Sequence, residues 1–435
     1  MLSFIANDAA TAETRTFTAT FDGSPSSPMP VTNLNQNEFD VAINSRDSNR
    51  WYSLDPMQAE HGPGCEGPDV THTVTRYEDA VFQCRDHLMT AIRADGYGAI
   101  YLTPAALVDF SQGEAVIRFD LSTFLANTAG RDWWDVWITP YAQNMSYPLE
   151  WDTADGQGPP QTAIQIRLGS ENFLCVHDYR NRSDIAPGPY DSGNTCDWAT
   201  RIGDVVPLSK TIRSPYEIRI TKTRVRIAML NDDGSVKHVF HDYRPSSPLT
   251  FTQGTVQFGH HSYNPNKAGG GPGTWHWDNI SISPAIPLQF IKADRRYVDG
   301  SGGTVYFNSP APANAYLRFT AVGKVKVNGQ SVSPQVPVSN QLQASSYFVP
   351  ISEGTTSVQI SLSKDGWYEG PFMAKDFDIW SIGSSEATPT NTPTSTVTPS
   401  PTATPTQTPT QTSTVTPTST PIVTPTATPT QTPTT

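Results

Sequence analysis

Between Phe17 and Trp380, apolar and polar residues alternate one by one in short runs separated by turn-formers. A period of two sends successive side chains to opposite faces of an extended chain, so each run reads as a β-strand with one face to bury. In 114–120 the residues Ala115, Ile117 and Phe119 share a face. In 162–168 Ile164, Ile166 and Leu168 do so, with Gln165 and Arg167 opposite them. Residues 217–230 read as a hairpin turning at Lys222-Thr223, and Asn231-Asp232-Asp233-Gly234 reads as a second turn ahead of 236–240. Val256 with Phe258, and Ile280 with Ile282, continue the series. No long segment carries apolar residues at helical spacing, and a short helical turn is expected at most over 104–109. Many strands, Gly/Pro turns and no intervening helices specify an all-β sandwich or jelly roll.

The alternation pauses at Pro284-Ala285-Ile286-Pro287, which reads as a joint between two β domains. All nine histidines and all four cysteines precede it. The segment after it alternates again, as in 316–319, 324–327, 357–360 and 376–380, with Asn328-Gly329 as a hairpin turn. No charged residue follows Glu386, and 387–435 is mainly Thr, Pro, Ser, Ala and Gln. Such a stretch has almost nothing to bury and reads as an extended spacer or an O-glycosylated stalk. The expected layout is a leader remnant over 1–16, a jelly roll over 17–284, an accessory β-sandwich over 285–383, and a disordered Thr/Pro linker over 384–435. That linker is expected to tether a further module or a surface anchor.

A formal net charge of −12 argues against a general nucleic-acid binder, which needs a basic footprint. No apolar run is long enough to span a bilayer as a helix. The cysteines fall into two local pairs, Cys65 with Cys84 and Cys175 with Cys196, each enclosing a Gly/Pro/Asp-rich loop. Two loop-stapling disulfides fit an exported protein. A zinc site is the rival, with His61, His72 and His87 near the first pair, although no CxxC or HExxH spacing is present. The expected location is extracellular, free or on a bacterial cell surface.

Candidate chemistry concentrates in the first segment. Taken as a strand, 131–140 shows Trp133, Asp135, Trp137 and Thr139 on one face and Trp134, Val136 and Ile138 on the other. Aromatic rings beside a carboxylate suit a sugar: the rings cover its C–H face and polar groups bond its hydroxyls. Gln165, Arg167 and Trp151 join Trp133 and Trp137 as substrate-binding candidates. The plainer alternative packs the tryptophans under loops and pairs Asp135 with Arg167 or Arg131. Hydrolysis of a glycosidic bond needs two carboxyl groups across a cleft. Asp135 is the first candidate, Glu60 the second, and Glu150 with Asp152 the third. His261 and Tyr263 form a separate set that could abstract a proton from a uronic acid in a lyase reaction.

Three segments carry a family resemblance: Phe21-Asp22-Gly23, the run 114–120 followed by 132–140, and 275–282. Through them the first domain resembles the concanavalin A-like lectin/glucanase superfamily, a jelly roll of two large curved sheets. The resemblance implies an opening strand and turn at 21–23, a pair of strands crossing the sugar-facing sheet at 114–120 and 132–140, and a closing strand at 275–282. It also implies a structural calcium ion held by Asp22 and Asp278, with Asp278 bonding turn backbone as the alternative. The E-x-D-x-x-E strand of its glucanase branch is not reproduced: Glu38 and Asp40 stand in the first two positions and Ile43 in the third. The accessory domain resembles carbohydrate-binding sandwiches, with Trp367 and Tyr368 as loop aromatics. The leading expectation is a secreted glycoside hydrolase acting on a polysaccharide without a catalytic cofactor. The alternatives are a non-catalytic glycan-binding or adhesive surface protein and a polysaccharide lyase.

Overall fold

The computed structural model describes residues 15–21, 29–30, 39–45, 80–84, 87–92, 98–122, 132–141, 163–168, 174–178, 202–206, 212–262, 273–295, 297–334, 345–363 and 373–383. The first strands are β1 (Phe17–Ala19), β2 (Met29–Pro30), β3 (Phe39–Ser45), β4 (Ala80–Cys84), β5 (His87–Ile92), β6 (Gly98–Pro104), β7 (Ala106–Asp109), β8 (Ala115–Ser122), β9 (Asp132–Pro140), β10 (Ile164–Leu168) and β11 (Leu174–Asp178). After one helical turn, α1 (Ile202–Val205), come β12 (Arg213–Thr221), β13 (Arg224–Leu230), β14 (Val236–Tyr243), β15 (Gln253–Ser262), β16 (Gly273–Ser283) and β17 (Ala285–Lys292). The rest are β18 (Tyr297–Asp299), β19 (Gly303–Tyr306), β20 (Ala315–Val322), β21 (Lys324–Val327), β22 (Gln330–Val332), β23 (Ser345–Ile351), β24 (Ser357–Ser363) and β25 (Met373–Ile382).

Three sheets result. One runs β14-β13-β12-β8-β16-β5-β4-β2, with β1 added against β16. The largest runs β11-β10-β9-β15-β7-β17-β25-β20-β23, with β6 and β3 branching from β15 and β18 pairing β25. The smallest is β19-β24-β21-β22. The first two sheets enclose one core and the second and third enclose another. The fold is the all-β jelly-roll sandwich expected from the alternation.

The turns form where expected. Tyr216 pairs with Met229 and Thr221 with Arg224, which closes the β12–β13 hairpin at Lys222-Thr223. Asn328 and Gly329 both have positive φ, 51° and 78°, the conformation a two-residue hairpin loop requires. The segment 104–109 departs from expectation. It is a continuation of β6 into β7, not a helical turn. Ala106 and Val108 face one core while Leu107 faces a separate cluster with Leu288, Phe290 and Trp380. With both faces buried the alternation vanishes, and pairing with β15 and β17 decides the conformation.

A second departure concerns β8 and β9. They are not neighbours in one sugar-facing sheet. β8 lies between β12 and β16, and β9 between β10 and β15 in the facing layer. Each supplies an apolar face to the same core, where Phe119 meets Trp134 edge-on at 5.8 Å. Phe119 also stacks on Tyr216 at 5.6 Å and meets Phe258 at 5.3 Å. Burial of each ring is worth roughly 1.5–3 kcal/mol, and each ring pair adds roughly 0.5–1.5 kcal/mol. These contacts bind the two layers and fix which side of β9 faces outward from the core.

The large sheet crosses the Pro284–Pro287 joint without a break. β17 pairs β7 through Ala285–Pro287 and β25 through Leu288–Lys292. The residues described up to Gly383 group as one compact unit. The linker, Trp367 and Tyr368 lie outside the described residues.

Candidate functional site

β9 presents Asp135, Trp137 and Thr139 on the side away from the first core, as alternation requires. Register places partners beside them. Arg167 stands opposite Asp135 and Gln165 opposite Trp137 on β10, while Gln257 stands opposite Trp137 and Thr255 opposite Thr139 on β15. Gln165 Nε2 donates to Asp135 Oδ2 at 2.8 Å, and Gln257 Nε2 donates to Thr103 Oγ1 at 3.0 Å. The structure therefore gathers Asp135, Trp137, Gln165 and Arg167 on one patch.

That patch is buried rather than open. Asp135, Trp137, Thr139, Gln165, Thr255 and Gln257 are each 0 % exposed, and Arg167 is 8 % exposed. Neighbouring strands only ~4.8 Å apart press these side chains against one another, so the polar groups shield each other as well as bond. Thr139 Oγ1, Thr255 Oγ1 and Gln257 Oε1 nevertheless have no partner among the described residues. Buried polar atoms are normally satisfied, so these three mark where an additional hydrogen-bonding group would be gained rather than merely tolerated.

Among the described residues of β9, β10, β11 and β15, Asp135 is the one carboxylate on this face. Glu60, Glu150, Trp151, Asp152 and Tyr263 lie outside the described residues, as do the side chains of Trp133 and His261. The His261 backbone sits opposite Trp133 on β9 and Ala99 on β6. His260 points into the core, where its Nδ1 lies 3.0 Å from Thr90 Oγ1, which also accepts from Trp277 Nε1 at 3.0 Å.

Sequence reasoning missed a second polar group on the same sheet. At the branch between β6 and β7, Asp40 of β3 meets three residues from beyond the joint. Lys292 Nζ donates to Asp40 Oδ1 and to Asp378 Oδ2, each at 3.0 Å, and Arg318 Nη1 lies 3.4 Å from Asp40 Oδ2. Burial would raise the Asp40 carboxyl, but Lys292 and Arg318 reverse this and hold it well below the ordinary carboxylate range. Burial and the neighbouring Asp40 charge push Asp378 well above that range. Burial would lower Lys292, but the two carboxyls instead raise it. The acid pair thus holds a proton more tightly than an isolated carboxyl does. These two carboxyls come together, yet the Lys292 ammonium bonds to both of them. The signal in the sequence was a charge within a β-strand at each of 292, 318 and 378, with Arg318 standing among mainly apolar neighbours.

The expected calcium site is half visible, since Asp22 lies outside the described residues. Asp278 Oδ1 accepts the Asn279 backbone N–H at 2.8 Å and its Oδ2 lies 3.5 Å from Arg213. Asp120, paired with Asp278 across β8 and β16, accepts from Asn279 Nδ2 at 2.7 Å. A guanidinium beside the carboxylate does not suit a cation site, and no group of three metal-ligating side chains occurs among the described residues. His87 Nε2 and His276 Nδ1 lie 2.8 Å apart and share one hydrogen bond. Cys175 is disulfide-bonded; Cys65, Cys196 and the Cys84 side chain lie outside the described residues. No helix among the described residues is long and apolar enough to cross a membrane.

No protein-family model matches the chain, and no curated protein does. Solved structures do. The Emp46p carbohydrate recognition domain in its potassium-bound form is 11 % identical, covering 47 % of this chain and 85 % of its own, with a TM-score of 0.30. The VIP36 exoplasmic/lumenal domain in its Ca2+/Man3GlcNAc-bound form is 10 % identical over 47 % of this chain and 80 % of its own, with a TM-score of 0.31. Lectin II from Ulex europaeus is 10 % identical over 62 % of this chain and 98 % of its own, with a TM-score of 0.34. At these identities and TM-scores the likeness is one of fold alone.

Proposed function

We propose that this chain is a secreted glycan-binding protein in which the polar side of β10, β9 and β15, buried in the fold, forms the floor beneath the sugar site. The observation that carries the reading is the donor set. An aromatic ring, an amide pair, a guanidinium and one carboxylate stand together, with three buried polar atoms left without partners among the described residues. Sugar hydroxyls both donate and accept, so they can satisfy a threonine hydroxyl and an amide carbonyl alike. Hydrolysis asks for a second carboxyl facing Asp135 across a cleft. None stands on this face among the described residues of the four strands, which favours binding over cleavage. The resemblance in fold to lectin domains is compatible with this reading and does not carry it.

The test is a panel of polysaccharides, including cellulose, β-glucans, xylans, pectins and alginate, assayed for both retention and products. The expected result is retention on one of them without new ends, weakened at least about tenfold in Asp135→Asn through loss of a charge-assisted contact. New reducing ends that disappear in Asp135→Asn would overturn binding alone and restore hydrolysis with Asp135 in the site. Unsaturated products lost in His261→Ala would establish the lyase reading instead.

A further inference from the structure

Arg318 lies in β20 with 1 % of its side chain exposed. Its Nη1 is engaged, 3.3 Å from the Asp376 carbonyl and 3.4 Å from Asp40 Oδ2. Its Nε and Nη2 have no partner among the described residues. Those two N–H groups form the edge of a guanidinium that grips two coplanar oxygens side by side. Two residues along the same strand and face, Thr320 Oγ1 is also buried and without a partner. A third is Trp380 Nε1, on β25 opposite Tyr316. The guanidinium and indole groups can only donate, so the missing partner is an acceptor. A cationic fork left unmade in the interior forfeits its hydration with nothing in return, which an anion reverses and an apolar group does not.

The surroundings narrow the class further. Tyr316 stacks on Phe348 at 4.8 Å, and Phe348 meets Trp380 edge-on at 5.5 Å. Tyr141, at the end of β9, meets Tyr316 at 5.6 Å. Tyr316, Phe348 and Tyr141 are half-buried, so this group reaches the outside of the fold. Aromatic rings beside an oxyanion fork suit a pyranose that bears a carboxylate. Register places Arg318 on the sheet face of Trp137: Trp137 stands opposite Gln257, Thr255 opposite Leu107, Leu107 opposite Ile286, Lys292 opposite Asp378 and Asp378 opposite Arg318.

We infer that Arg318, with Thr320 beside it on the same face of β20, receives the carboxylate of a uronic acid residue of a glycan whose ring rests on the half-buried aromatics Tyr316 and Phe348. The sugar part of the inference rests on the glycan-binding reading above; the charge part rests on Arg318 itself. Thermal unfolding of the full chain tests it, with galacturonate, its methyl ester, galactose and inorganic sulfate as probes. Galacturonate is expected to raise the midpoint of the wild-type chain, and the uncharged ester and galactose are not. Arg318→Lys keeps the charge and removes the fork, and should weaken galacturonate at least about tenfold. If Arg318→Lys fails to fold by circular dichroism, the nearly isosteric Thr320→Val decides, and unchanged galacturonate affinity there overturns the inference. Equal responses to galacturonate and its ester also overturn it. Sulfate acting as strongly as galacturonate reduces the site to a bare anion site and overturns the uronate assignment. Retention of a neutral polysaccharide with no Arg318-dependent galacturonate effect removes this subsite and leaves the binding face standing. An Arg318-dependent galacturonate effect with no polysaccharide retained does the reverse.

Discussion

The patch around Asp135 and the group around Asp40 are both buried, both charged and both on the same face of the large sheet, yet they are built differently. Asp135, Gln165 and Arg167 come from two adjacent strands of one hairpin-like region, and Gln165 bonds Asp135 within the sheet. Asp40, Lys292, Arg318 and Asp378 come from four strands spread over most of the folded chain. The first patch is assembled by local pairing and can be disturbed without separating anything. The second joins the branch carrying β3 to the strands beyond the joint, so its charges hold only while both parts are in place. The difference teaches that a buried polar group of the second kind ties distant strands together, as a latch does, whereas the first kind is held within neighbouring strands.

The largest effect should come from breaking the latch. Asp40→Ala leaves the Lys292 ammonium and Arg318 guanidinium without their shared acid, and stability should fall by about 3–5 kcal/mol. Calorimetry should then show the two sandwiches separating into distinct transitions. A single transition with an unchanged midpoint would mean that the latch contributes nothing. Asp135→Asn should cost less, about 1.5–3 kcal/mol, because one charge-assisted bond is weakened and no distant strand is released. If the two variants lose equal stability, the distinction between them fails.

Proton linkage sharpens the comparison. Asp40 is held low, so its contribution is complete above about pH 4 and lost as pH falls through its folded value. Asp378 is held high, so the folded chain keeps a proton that the unfolded chain releases, and stability declines as pH rises from about 4 through the folded value. Asp378→Asn should abolish the decline on the alkaline side and keep the loss on the acid side. Denaturant unfolding at several pH values reads both slopes, and an unaltered alkaline slope would mean that Asp378 does not hold the proton.

An exposed pair gives the baseline. Arg224 and Asp242 bond at 2.6 Å with side chains 33 % and 35 % exposed. A double-mutant cycle on them should return about 0.2–1 kcal/mol, reduced further by salt. A coupling as large as that at Asp40 would show that burial is not what distinguishes the latch.

Much of the strand layout was legible. The inward faces of β8, β10 and β16 follow from alternation and the turns at 222–223, 231–234 and 328–329 from turn-forming residues, both of which depend only on chain neighbours. The 104–109 segment misled because it is apolar on both sides, and a run without period fits a strand or a helical turn equally. The exclusion of β8 and β9 from a common sheet was hidden for a related reason. Two apolar faces of equal quality can lie side by side or face to face, and only the ring packing of Phe119, Trp134 and Tyr216 chooses between them. For the site, the face holding Asp135, Trp137, Gln165 and Arg167 was readable, because register within two strands preserves what alternation sets.

By itself, then, the sequence determined the all-β class, the strand positions, most turns and the side of each strand on which a polar residue would stand. Tertiary structure alone decided that the polar side of the large sheet is buried, that β17 carries the sheet across the joint, and that Asp40 meets Lys292, Arg318 and Asp378. The physical reason is range. Alternation is enforced by the geometry of consecutive residues, whereas burial and charge pairing depend on strands brought together across hundreds of residues by the packing of two cores.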